Sequence, residues 1–255
     1  MLLNRQVLFQ AANIGAFVVT IVVNGLAGSS TLLNGVTSGE VSDMYPTLVT
    51  PAGFTFAIWG IIYVLLTAFV VYQLLPKNMD KPFLSKIGVL FALSGVLNVS
   101  WLVLWHYDLV TYSLVLMLAL LVSLIAVYLR LDIGRAAVSL KERLCVHLPF
   151  SVYLGWISIA TIANVSVALT AVGWDGWGIE VETWAVVIVC VALVLTLTML
   201  VTRKDLAFSL VVVWALAGIL AKQSGYESIV LASQLGIVLI LAAVAVTIAA
   251  SRLKR

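Results

Sequence analysis

The side chains best suited to recognition chemistry in this chain are two carboxamides and a set of aromatic rings. Asn98, Trp101 and Trp105 recur at i, i+3 and i+7. Trp156, Ala160 and Asn164 recur at i, i+4 and i+8, with Tyr153 three residues earlier. Phe56, Trp59 and Tyr63 form a third set at i, i+3 and i+7. Each spacing puts its members on one face of a helix. Indole faces stack on planar rings, and a carboxamide can orient a carbonyl or carboxylate. This is chemistry for holding a flat, mostly apolar molecule.

Chemistry for transforming one is scarce. There is no carboxylate pair, nucleophile elbow or phosphate loop, so no catalytic residue is assigned. His106 and His147 fall at opposite ends of their helices and cannot share a metal, so no metal site is assigned; each reads as a polar interface residue. His106, beside Trp105, is also placed to touch a ligand. Cys145 and Cys190 lack metal or redox spacing and imply no disulfide. Lys222 raises the thought of a retinal Schiff base, but it sits at a helix end and no Asp or Glu lies within any apolar run. Asn98-Val99-Ser100 and Asn164-Val165-Ser166 match a glycosylation pattern but lie inside apolar runs, and are set aside.

The elements that position these residues follow from composition. The chain is 63% hydrophobic and 10% charged, with a mean hydropathy of +1.17. No soluble domain of this length hides so much apolar surface. A spanning helix needs about 20 mostly apolar residues, and the runs are that long; a transmembrane barrel would read as short alternating segments. The expected fold is all-α, a polytopic membrane helix bundle with spans at 6–26, 51–75, 84–105, 109–130, 144–171, 182–202, 206–222 and 229–250. Gln10, Asn13 and Asn24 make the first run a retained span rather than a cleaved leader. Trp174, Trp177 and Trp184 bracket a loop as an aromatic belt does, and Trp214 reads as packing.

Loop charges set an orientation. With the N-terminus inside, every Lys and Arg except Lys222 falls on the inner side, and the outer loops carry Glu40, Asp43, Asp108, Asp175, Glu180, Glu182 and Glu227. The positive-inside rule then places both termini in the cytoplasm. The net charge of +3 is spent on this asymmetry and implies no nucleic-acid partner; membrane lipid is the surrounding partner. The long loop from about Ala27 to Thr50 reads either as a lid over an outer opening or as a floppy connector.

Helix rise of about 1.5 Å per residue puts Trp59, Asn98 and Asn164 roughly 10–12 Å below the outer surface. Three such groups at one level on three helices point to a shared cavity. The competing reading is an interhelical hydrogen-bond clamp.

Residues 1–172 resemble the TspO/MBR family of tryptophan-rich sensory and translocator proteins. The resemblance rests on Pro51 leading to Trp59 and Tyr63 in the second helix, Asn98 and Trp101 in the third, and Tyr153, Trp156, Ala160 and Asn164 in the fifth. The departures are Gly53 for the family's Trp, Ala57 and Thr50 for two prolines, and Val152 for the fifth-helix Pro. The resemblance implies a five-helix core over 1–172, to which 173–255 adds three helices. It also implies a lid-capped cavity for flat apolar ligands, among them tetrapyrroles such as porphyrins, sterols and benzodiazepine-type compounds. The expected ligand-binding set is Phe56, Trp59, Tyr63, Asn98, Trp101, Trp105, Tyr153, Trp156, Ala160 and Asn164. No cofactor is required, a tetrapyrrole is the candidate ligand, and a homodimer is common in the family. The missing Trp at Gly53 reshapes the pocket. A sterol-contact pattern over Leu124, Tyr128 and Arg130 reads more simply as interface anchors.

Three functions are open at this point. The first is a ligand-binding protein with a sensory or regulatory role. The second is a transporter, for which no inverted repeat is seen. The third, a porphyrin-modifying enzyme, lacks an evident acid, base or metal.

Overall fold

The computed structural model describes residues 2–29 and 33–253, and among them all regular structure is helical. The helices are α1 (Leu2–Ser29), α2 (Ser38–Asp43), α3 (Ile58–Leu74), α4 (Pro82–Ile87), α5 (Leu90–His106), α6 (Val110–Leu131), α7 (Leu140–Glu142), α8 (Leu148–Ala171), α9 (Val181–Arg203), α10 (Leu206–Lys222) and α11 (Glu227–Leu253). Each of the eight expected spans holds one of the apolar helices α1, α3, α5, α6, α8, α9, α10 and α11. Six are long and apolar enough to cross a membrane, while α5 and α10 are shorter apolar helices of 17 residues. Lys254 and Arg255, part of the C-terminal basic cluster, lie outside the described residues.

Three expected spans are not uniform helices: 51–75 opens with the 3-10 turn Gly53–Ala57 before α3. The run 84–105 breaks at Gly88, whose φ of 53° and ψ of −126° suit only a residue without Cβ. Before α8, Arg143–His147 forms a π turn. Pro149 explains it: the ring removes the N–H that would bond back four residues, and a wider turn absorbs the defect.

The bundle packs around α8. This helix contacts α3, α6 and α10, and most of its residues are buried. In hydrocarbon the apolar effect does not drive helices together, so close packing and polar contacts must. At Gly155 an added Cβ would lie 3.2 Å from Val211 and 3.3 Å from the Phe208 backbone, which shows how closely α10 approaches. Gln10 donates to the Gln73 carbonyl at 2.7 Å and Asn13 to the Gln73 side chain at 3.2 Å, fastening α1 to α3.

The end carrying the basic residues is fastened by Asp205. Its carboxylate accepts from the Tyr128 hydroxyl at 2.7 Å, from Ser151, and from the Phe208 N–H at 3.1 Å. It thereby caps α10 while joining it to α6 and α8. Tyr128 and Leu124 are 2% and 1% exposed. They are therefore not the lipid-facing anchors expected from sequence: the hydroxyl is used inside the protein. Arg203 donates to Asp132 at 2.6 Å beside this joint. His147, expected at an interface, is buried.

Candidate functional site

From Leu33 onward, the described part of the segment between α1 and α3 folds as a lid. Thr37 caps α2 through its side chain while Glu40 bonds back to the Thr37 N–H, a reciprocal box. Hydrogen bonds to the Glu40 carboxyl from the Thr37 backbone N–H and then from the Thr37 side chain hold it below its ordinary range. The lid is anchored on the end of α5. The His106 ring meets the Ser38 hydroxyl at 2.9 Å and the Leu33 carbonyl at 3.2 Å, and Asn34 donates to the His106 carbonyl at 2.7 Å. Trp105 donates its indole N–H to the Ser38 carbonyl at 3.2 Å. Tyr45 donates to Asp108 at 2.5 Å, and burial, then this carboxylate, push the phenol up to about 12. His106 is therefore a lid anchor. Trp105, expected only in the ligand set, serves the lid as well.

Beneath the lid the aromatic side chains gather around Trp59. Its ring stacks on Tyr63 at 5.6 Å and meets Trp101 at 6.3 Å, Tyr153 at 6.0 Å and Trp156 at 6.3 Å. Phe56 contacts Trp156 at 5.9 Å and Trp105 stacks on Trp101 at 6.0 Å. Seven of the expected positions thus form one cluster drawn from α3, α5, α8 and the 3-10 turn Gly53–Ala57.

The carboxamides behave partly as the clamp reading expects. Trp101 donates to Asn164 at 3.0 Å, and the Asn164 amide reaches the Ser113 hydroxyl at 3.3 Å, joining α5, α8 and α6. Asn98 accepts from Asn24 of α1 at 2.8 Å. A cavity is present too, about 30 Å³, walled by Phe56, Trp59, Trp101, Trp156, Ala160 and Asn164 among others. That is room for one or two waters, not for a planar ligand.

A larger cleft of about 430 Å³ shares Phe56 and Trp59 with this cavity. It lies between α1, the lid and α3, and Tyr63 lines it with Asn24, Glu40 and Asp43. Gly53 opens on it; a Cβ there would meet nothing within 4 Å. Three buried polar groups of the expected set have no hydrogen-bond partner among the described residues: Asn98 Nδ2, Trp156 Nε1 and the Tyr63 hydroxyl.

The sequence model described as TSPO-like protein matches residues 10–248. The chain belongs to the TSPO-like protein family. The match runs through α9 and α10 into α11, so the last three helices fall within it. No curated protein and no solved structure matches the chain.

In this TSPO-like chain α10 holds the lid segment through contacts that no local sequence pattern signals. The Ala52 N–H donates to the Gly218 carbonyl at 3.1 Å. Trp214 donates to the Thr55 carbonyl at 2.9 Å and packs edge-on against Phe54 at 5.5 Å. Lys222 pairs with Asp43 and donates to Thr50 at 3.2 Å, and Gln223 donates to the Thr47 carbonyl at 3.3 Å. Lys222, excluded as a Schiff-base lysine, is a latch on the lid. Its one legible signal was being the lone cation among acidic loops.

Proposed function

We propose that this protein binds a flat apolar ligand, of tetrapyrrole or sterol class, between the lid and the Trp59 cluster, and that it serves a sensory or regulatory role. The observation that carries the reading is the trio of buried, unpartnered donors around one aromatic cluster, Asn98 Nδ2, Trp156 Nε1 and the Tyr63 hydroxyl. A buried polar group without a partner is costly, and a ligand acceptor would relieve that cost. The adjoining cleft of about 430 Å³ is within the range of about 300–1,000 Å³ typical of small-molecule sites. The 30 Å³ cavity would be the deep end, widened as a ring slides between Trp59 and Trp156. The segment from Thr47 to Phe56 touches both the cleft and α10, so lid movement on binding would reach the last three helices.

The rim favours a ligand without carboxylates. Asp43 is paired with Lys222, which leaves the Glu40 charge to set the sign of the local field. Intrinsic Trp fluorescence tests the reading in detergent. Saturable quenching by protoporphyrin dimethyl ester is expected, stronger than by the free diacid. Gly53→Trp, which puts a large ring into the cleft, should weaken it at least tenfold. Absence of saturable quenching by either porphyrin and by a fluorescent sterol would overturn the proposal.

The charge asymmetry supports cytoplasmic termini. In intact cells Glu180→Cys should react with an impermeant maleimide, and Ser251→Cys only after permeabilisation. The reverse pattern would invert the topology.

A further inference from the structure

On the opposite side of α8 from the aromatic cluster lies a third opening, of about 620 Å³. Ile162, Val165 and Leu169 of α8 face Ala185, Ile188 and Val191 of α9 across it. It exists because α9 packs chiefly on α10 and α11 and leaves α8 free along this stretch. The lid residues Thr47, Leu48 and Val49 line it as well. From Thr161 to Thr170 the groove runs about 13 Å down α8, roughly half of the ~30 Å hydrocarbon core, which is one leaflet.

The mouth has a definite chemistry. Trp174 and Trp184 line it, and Trp177, 75% exposed, packs against both at 5.5 and 6.0 Å. Indoles of this kind sit at headgroup level. Asp175 lines the mouth as well, and Glu180 and Glu182 follow it in the chain. No Lys or Arg occurs between Arg143 and Arg203. An anionic, indole-rich mouth attracts an ammonium group by charge and by cation–π contact, and repels a headgroup that is only anionic.

We propose that the groove between α8 and α9 is a lipid site. It takes one acyl chain of a phospholipid whose headgroup carries an amine, with the amine at the Trp174, Asp175 and Trp184 mouth. The seated chain contacts Leu48 and Val49 on the back of the segment whose Pro51 lines the small cavity. The site is independent of the ligand proposed above.

Native mass spectrometry of the full chain from nanodiscs with equal phosphatidylethanolamine and phosphatidylglycerol tests it. One phosphatidylethanolamine should be retained, at least tenfold over phosphatidylglycerol. Ile188→Trp and Val165→Trp fill the groove from facing walls and should lose that lipid. Equal retention of the two lipids, or retention unchanged in both variants, overturns the proposal. Chain-brominated lipids give a check without groove-filling variants. Brominated phosphatidylethanolamine should quench the wild type more than brominated phosphatidylglycerol, with the difference reduced in Trp184→Phe. Equal quenching by the two lipids overturns the proposal too.

Discussion

Gly218→Ala is expected to lower the melting temperature and release the lid, although it adds a single methyl group. A Cβ at position 218 would fall 2.1 Å from Thr55 Oγ1, 2.9 Å from Pro51 Cβ and 3.0 Å from Thr55 Cβ. None of these atoms is the far end of a flexible chain, so α10 and the turn Gly53–Ala57 must separate. Overpacking of this kind costs about 1–3 kcal/mol. Separation also strains the bonds from Ala52 to Gly218 and from Trp214 to Thr55. For a chain of this size, about 3 kcal/mol lowers Tm by roughly 6–12 °C. Hydrogen exchange over residues 47–57 is the direct readout, and protection there should fall. Thr55→Ala in the same chain removes the nearest atom and should restore part of it. Thr55 Oγ1 is buried without a partner, so its removal sacrifices no hydrogen bond. Unchanged protection in Gly218→Ala would mean that α10 does not hold the lid.

Trp156→Phe is expected to shift stability and affinity in opposite directions. Trp156 is 2% exposed, edge-on to Phe56 and Trp59, and its N–H has no partner. Phe keeps a ring at both contacts and removes the orphaned donor. Interhelical polar contacts in membranes are worth about 0.6 kcal/mol on average and up to about 1.7, so the ligand-free protein should gain a few tenths to about 1 kcal/mol. If the N–H meets an acceptor on the ligand, the same change should weaken binding about tenfold, or about 1.4 kcal/mol. Trp156→Ala is a harsher change. It leaves a cavity beside the existing one and should cost about 3–5 kcal/mol, lost binding and lost fold then being hard to separate. A Phe variant that is less stable yet binds normally would remove Trp156 from the site.

The spans were legible because each is written as a continuous apolar run bounded by charge or turn residues. For example, α6 and α9 begin and end within one residue of the expected 109–130 and 182–202. The break at Gly88 was hidden because Phe83, Leu84 and Ile87 on its near side are as apolar as the helix beyond. Within the site, periodicity gathered the aromatic faces, and depth matching put Trp59, Asn98 and Asn164 at one level. It could not distinguish a cavity from a clamp, and the structure contains both. Asn164 is committed to Trp101 and Ser113, while Asn98 keeps a free donor. Asp205 escaped notice because it sits one residue before α10 and reads as loop, although it is buried. The contacts of α10 with the lid join residues 159 to 179 positions apart, a separation at which no local pattern operates.

Counting the 3-10 turn Gly53–Ala57 with α3, the two shortest spans are also the two that grip the lid. With 17 residues each, α5 and α10 measure about 26 Å, a few ångströms less than the ~30 Å hydrocarbon core. Mismatch of this size is met by thinning of the surrounding bilayer, at fractions of a kcal/mol per Å. On that reading their ends, His106 and Lys222, would hold the lid at headgroup level instead of leaving it in bulk water. A ligand of the class proposed above, dissolved in the bilayer, would then reach the cleft by lateral diffusion at an effective concentration set by its partitioning into the membrane. Membrane thickness would then become a control on access, since a thicker bilayer would bury the lid more deeply.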